Sequence, residues 1–128
     1  MTAQSLPWVV LACGLVTSCD TAPQFRTVPV TVVKVTLPDV VTPTEVMSVS
    51  MRYDAGCGNL EPDVSQNIRT ALTLALSVTT QVSVEPPPPC PPVYIEKTLA
   101  YTDPGTPART GPFEVIVNGK SWGSVQVK

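Results

Sequence analysis

The sequence predicts an all-β fold, an antiparallel β-sandwich, on three observations. Five or more segments rich in β-branched residues recur along the 128 residues, each bounded by Pro, Gly, Asn or Asp, which is the spacing of short strands in a two-sheet domain. Fifteen Pro leave little uninterrupted chain for helix, since each removes a backbone donor and clashes with the preceding turn. The C-terminal stretch carries the strongest hairpin signal. Phe113, Val115 and Val117 alternate with Glu114 and Ile116, Asn118-Gly119 supplies the two positive-φ residues of a type I′ turn, and Ser121 to Val127 returns.

Composition narrows the function classes. The length suits one domain, and 43% hydrophobic residues separate the chain from disordered sequences. There is no His, so the commonest general base, the commonest metal ligand and every His-dependent triad are missing. A formal net charge of −2 provides no basic footprint for nucleic acid.

The first element, residues 1–18, contains no charged side chain. Within it Leu6 to Val16 is an apolar run of the length of a signal-peptide core, shorter than the ~20 residues of a spanning helix. Val16-Thr17-Ser18-Cys19 follows, and it resembles the lipobox of bacterial lipoproteins. The resemblance implies cleavage before Cys19 and attachment of lipid to its thiol, which would hold the protein on a membrane through its N-terminal acyl chains. Residues 19–27 then read as a short polar tether, and residues 28–128 as the β-sandwich domain. On this reading Cys13 is discarded and Cys19 is acylated. Cys57 and Cys90 remain in an oxidising compartment, where they are expected to form a disulfide. Closing that loop would stabilise the domain by roughly 3–4 kcal/mol in the chain-entropy model. A metal or redox use of these Cys has no CxxC spacing and no His to support it.

Val28 to Leu37 is β-branched with a change of phase at Val32-Val33, the mark of a bulge or of a strand passing from one sheet to the other. Pro29 places it at an edge. Pro38-Asp39 and Thr42-Pro43-Thr44 read as loop. In Val46 to Tyr53 the residues Met47, Val49, Met51 and Tyr53 share one face, giving a strand with one buried side. Asp54 to Asn59 is turn chemistry. Between 68 and 84 two patterns compete. Ile68, Ala71, Leu72, Ala75 and Leu76 have helical spacing with Asp63 or Ser65 as cap, whereas Leu72, Leu74, Leu76 and Val78 alternate and lead into a β-branched run. The alternation favours a long strand or hairpin.

Pro86 to Pro92, with Cys90 inside it, reads as a stiff polyproline connector between strands; the alternative is a ligand for an aromatic groove. Val93 to Tyr101 is a further strand in which Val93, Ile95, Leu99 and Tyr101 share a face interrupted by Lys97, and Asp103 to Pro107 reads as loop. Trp122 in the last hairpin reads as a ring lying across a sheet edge, the alternative being an exposed aromatic for carbohydrate or protein contact in a carbohydrate-binding adhesion module.

Taken with the lipobox, the Gly56-Cys57 turn, Cys90 after a long β run and the ending Gly111-Pro112-Phe113-Glu114-Val115-Ile116-Val117-Asn118-Gly119, the chain is similar to small bacterial lipoproteins with one immunoglobulin-like domain. The resemblance implies an immunoglobulin-like sandwich and a location at the cell membrane, facing the periplasm or exterior. It brings no catalytic, metal or cofactor residues. The expected role is non-enzymatic, binding an envelope protein or polymer or serving envelope structure, with the membrane as the other partner and no nucleic acid. Two further classes stand beside it. Asp54, Asn59, Glu61 and Asp63 supply hard oxygen ligands within ten residues for a calcium-dependent adhesion module, without EF-hand spacing. A small envelope enzyme would draw on carboxylates such as Glu85, Glu96 and Glu114.

Overall fold

The chain is described by a computed structural model covering residues 24–56, 59–84 and 94–128. Among these residues there are nine strands and no helix. One sheet contains β1 (Phe25–Pro29), β3 (Val40–Val41), β5 (Asp63–Arg69), β6 (Thr73–Ser83), β8 (Phe113–Val117) and β9 (Lys120–Val127). The other contains β2 (Val32–Thr36), β4 (Met47–Asp54) and β7 (Glu96–Asp103), with β4 in the middle. The all-β prediction therefore holds. Cys19, Cys57, Cys90, the apolar N-terminal run and the polyproline connector lie outside the described residues.

The sheets enclose a core to which each strand contributes by its alternation. Met47, Val49, Met51 and Tyr53 of β4 are buried, the face read from the sequence. They pack in one cluster with Leu74, Leu76 and Val78 of β6, Phe113, Val115 and Val117 of β8, and Val125 of β9. Full burial of each such side chain contributes about 1.5–3 kcal/mol.

β6 is the axis of the larger sheet, and Leu74, Ala75 and Leu76 are buried in succession, as in a strand flanked on both edges. Along one edge it pairs with β5. Along the other it pairs with β1 at Thr79–Ser83 and with β8 at Thr73–Leu76, so these two short strands stand end to end. The alternation from 72 to 78 thus marks a strand, and most of the 68–84 segment is the single long strand β6, joined by a turn to the end of β5. That turn, Thr70 to Leu72, is held by Thr70 Oγ1 accepting from the N–H groups of Leu72 and Thr73. Leu72 belongs to this turn and is exposed. β5 begins at Asp63, where polar Ser65, Gln66 and Asn67 of an exposed edge strand disguise it in the sequence.

The antiparallel prediction needs correction. β6 and β8 run parallel, and so do β3 and β9. Parallel neighbours need a crossover, and β7, lying in the opposite sheet, supplies it between β6 and β8. The larger sheet is consequently mixed. β3 lies between the two stretches read as loop, at residues the sequence left unassigned, and β1 begins at Phe25, within the stretch read as tether.

The change of phase in 28–37 is a passage between sheets. Val30 N–H donates to Val78 O at 2.9 Å on the larger sheet, and one residue later Thr31 O accepts from Asp54 N–H at 3.0 Å on the smaller one. A register shift between Val32 and Lys34 adds the bulge.

Asn118 secures the junction of β1 and β8. Its φ of 50° and that of Gly119, 80°, form the hairpin turn. Its side-chain amide fills the gap in the ladder: Oδ1 accepts from Val78 N–H at 2.8 Å, and Nδ2 donates to Val30 O at 2.9 Å and Val78 O at 3.2 Å. Asn118→Gly preserves the turn geometry and removes these bonds. A loss of about 1–3 kcal/mol in denaturant unfolding is expected, and an unchanged midpoint would show the amide to be dispensable.

Candidate functional site

The densest group of ionisable side chains among the described residues closes one end of the sandwich. β7 carries the inward register Leu99, Tyr101, Asp103 to its last residue, so Asp103 enters the interior with no exposed surface. Arg69, last residue of β5, reaches it with Nε at 2.7 Å from Oδ1 and Nη2 at 3.0 Å from Oδ2. Arg109, from the loop before β8, places Nη2 2.5 Å from Oδ2. Both guanidinium side chains are sealed from solvent.

Two cations on one anion leave a positive surplus, and the surroundings offset it. Arg109 Nη1 donates to Thr42 O and Glu45 O, each at 2.9 Å, and Arg69 Nη1 donates to Thr70 O. The Phe113 ring lies against both guanidiniums, 4.7 Å from Arg69 and 5.2 Å from Arg109. Burial pushes the Asp103 carboxyl up, but the hydrogen bonds and charges of the two Arg outweigh it and hold its pKa below the ordinary 3.8. An arginine-saturated carboxylate without solvent access has no proton to exchange near neutral pH and no route to a substrate. Its work is mechanical: it joins β5, β7 and the loops at 42–45 and 103–109.

Those loops meet closely. Gly105 has φ +85°, and a Cβ there would collide with the carbonyl oxygens of Thr44 and Glu45. Arg109 N–H donates to Pro43 O at 2.9 Å, while Thr42 and Glu45 bond reciprocally, Thr42 N–H to Glu45 Oε1 at 2.6 Å and Glu45 N–H to Thr42 Oγ1 at 3.2 Å. None of Arg69, Asp103 and Arg109 stood out in the sequence. The available signal was the β7 face: extending Leu99 and Tyr101 by two residues reaches Asp103, an inward carboxylate that needs a cation.

Beside this loop pair lies an open cleft of about 430 Å³, walled by Leu37, Pro38, Val40, Val46, Ser48 and Ser50. Its one lining carboxylate, Glu45, is engaged by Thr42 N–H. The cleft offers apolar contact and hydroxyls, without an acid–base pair.

Among the described residues, the carboxylates singled out in the sequence do not gather into one site, although Asp54 and Glu96 stand opposite each other across β4 and β7. Glu96 takes Arg52 Nε at 2.6 Å and the Tyr94 hydroxyl at 3.1 Å, and the Arg52 hydrogen bond holds its pKa down. Glu114 stands on β8, in the other sheet, and Glu85 is outside the described residues. Asp54 Oδ1 accepts from Gly56 N–H at 3.0 Å as a turn former, Asn59 bridges to Val82 and Asp63 opens β5. Among the described residues no three His, Cys, Asp or Glu are grouped to hold a metal ion. The half-buried Trp122 ring packs on the core with the Lys120 ammonium 4.2 Å from its centroid.

Two substitutions test the closure. Asp103→Asn strands two buried cations, and a loss of about 3–5 kcal/mol at neutral pH is expected. Because the folded pKa is depressed, the wild-type contribution is complete above about pH 4 and disappears as the pH falls through the lower folded value. Acid titration of stability should show that slope in the wild type and lack it in Asp103→Asn; equal slopes would contradict the assignment. Gly105→Ala combines a left-handed φ with a backbone collision, whereas at Gly119 a Cβ meets nothing within 4 Å. Gly105→Ala is therefore expected to cost about 2 kcal/mol or more and to exceed Gly119→Ala in a paired denaturation series.

Compared with family models, curated proteins and solved structures, the chain finds no match in any of the three.

Proposed function

We propose that the chain is a lipid-anchored exported protein whose β domain has a non-enzymatic role in the cell envelope, binding an envelope protein or polymer or serving envelope structure. The observation that carries this reading is Val16-Thr17-Ser18-Cys19 directly after an uncharged apolar run, with every charged residue of the chain beyond it. The domain faces the periplasm or exterior, with the membrane as its first partner.

The proposed kinship with immunoglobulin-like lipoproteins draws support from the two-sheet all-β architecture, the passage of the chain between sheets at Val30-Thr31 and the closing hairpin. The parallel β6–β8 pair departs from the antiparallel pattern of that family. A structural use of charge also supports a non-enzymatic role. Arg69, Asp103 and Arg109 are sealed in the closure, and Glu96 is bound to Arg52.

Expression of the full chain in bacteria with an alkyne fatty acid tests the address. The wild type is expected to take up the label and to begin at Cys19 by mass spectrometry, while Cys19→Ser takes up none. An unlabelled wild type that retains Met1 would refute the anchor. Thiol titration of the denatured, unreduced protein is expected to find Cys57 and Cys90 blocked; two free thiols would remove the disulfide.

A further inference from the structure

Ten large apolar side chains stand exposed among the described residues, and five of them gather at one end of the domain: Phe25, Leu60, Val84, Tyr94 and Ile95. The backbone ladders bring them together. Phe25 faces Ser83, and Val84 N–H donates to Gln24 O at 3.1 Å. Leu60 N–H donates to Gln81 O at 3.1 Å, beside the same end of β6. Ala55 N–H donates to Ile95 O at 2.9 Å, which sets the residues before β7 against the end of β4. From there the chain runs to Asn59, which bridges to Val82 and so ties this end of the smaller sheet to this end of the larger one. Of the other five, Val40 and Val46 flank the cleft and Ile68 and Leu72 adjoin the β5–β6 turn, toward the opposite end, while Val33 is the bulge residue of β2.

The apolar end is also where the chain arrives. Only four residues separate Cys19 from Gln24. A fully extended chain of that length spans about 18 Å at most. If Cys19 carries the lipid, Phe25 is the first strand residue after the anchor, and its end of the domain cannot leave the neighbourhood of the headgroups. So short a connection raises the effective concentration of surface contacts to the millimolar range, so a patch too small to bind lipid unaided is engaged.

The side chains suit that layer. Tyr94 is the most exposed of the five at 59%, and its hydroxyl donates to Glu96 Oε2, so an apolar ring is presented with its polar tip satisfied. Arg26, Arg52, Glu61 and Lys97 are exposed around the patch. Aromatic and aliphatic groups ringed by charge are the composition of surfaces that sit at the membrane–water boundary.

We infer that the end formed by Phe25, Leu60, Val84, Tyr94 and Ile95 is seated on the lipid bilayer surface, which orients the domain with the Arg69–Asp103–Arg109 closure and the cleft pointing away from the membrane. This inference rests on the anchor proposed above.

The test uses the full chain purified from bacterial membranes and reconstituted into phosphatidylcholine vesicles, with or without lipid brominated high on the acyl chain. Phe25→Trp and Leu72→Trp are compared with the unsubstituted chain, in which Trp122 gives the background once cleavage before Cys19 has removed Trp8. Each is first checked for wild-type circular dichroism, and Tyr94→Trp replaces the first variant if it does not fold. With Cys19 acylated by mass spectrometry, bromination is expected to remove at least half of the added emission at position 25 and none at position 72. Acylated protein with position 25 unquenched, or with both positions quenched alike, overturns the inference and leaves the anchor standing. Unacylated protein removes the anchor and the inference with it. If position 25 is unquenched in vesicles but crosslinks to a protein in intact cells, the face belongs to a protein partner and the inference is again overturned.

Discussion

The carboxylate of Asp103 between the guanidiniums of Arg69 and Arg109 is the constraint on which the closed end of this domain depends. A β-sandwich built from strands of two to eleven residues has ends where backbone turns away from the ladders and core side chains meet water. At this end an ionic plug covers Phe113, with one ring facing both cations. Because Asp103 belongs to the smaller sheet and Arg69 to the larger, the plug also fixes how the sheets sit against each other. Buried ion pairs rarely add stability over apolar packing of the same shape, but breaking one is costly. The arrangement therefore acts as a specificity device: alternative registers of β5 or β7 would leave a charge buried and unpaired.

The larger sheet shows the same economy in its backbone. β6 is too long for any one neighbour on its inner edge, so β1 and β8 share it, and the gap between them is bridged by the Asn118 side chain behaving as a peptide group. That sharing allows the chain to enter on the larger sheet, pass to the smaller one at Val30-Thr31 and still close with a hairpin whose turn residue Asn118 reaches Val30.

Much of this was legible in the sequence because strand alternation and turn chemistry are local signals. Met47, Val49, Met51 and Tyr53, the Asn118-Gly119 turn and the phase change at Val32-Val33 were each read from neighbours within a few residues. Strand direction was not legible. Whether β8 runs parallel to β6 depends on β7 lying in the other sheet, a fact no local pattern contains. β3 was hidden because two residues between Pro38 and Pro43 carry no periodicity, and β5 because an exposed edge strand needs no apolar face. The closure was hidden for a related reason. Arg69 lies 34 residues before Asp103 and Arg109 six after it, and each alone is an ordinary surface residue type. The Cys57–Cys90 expectation and the Cys19 address rest on parts of the chain outside the described strands, so they stand on sequence chemistry.

The grip on Asn118 also bears on how the protein ages. An Asn followed by Gly is chemically fragile: the Gly nitrogen attacks the side-chain carbonyl carbon, ammonia leaves, and water opens the resulting ring to aspartate or its isomer. That attack requires the amide to swing onto its own backbone, and here the amide is held by Val30 and Val78 in three hydrogen bonds. A carboxylate in its place would face the carbonyl oxygens of both residues. Folding therefore protects the most labile dipeptide in the chain, and a molecule that has lingered unfolded long enough to deamidate would carry a mark that disfavours its return.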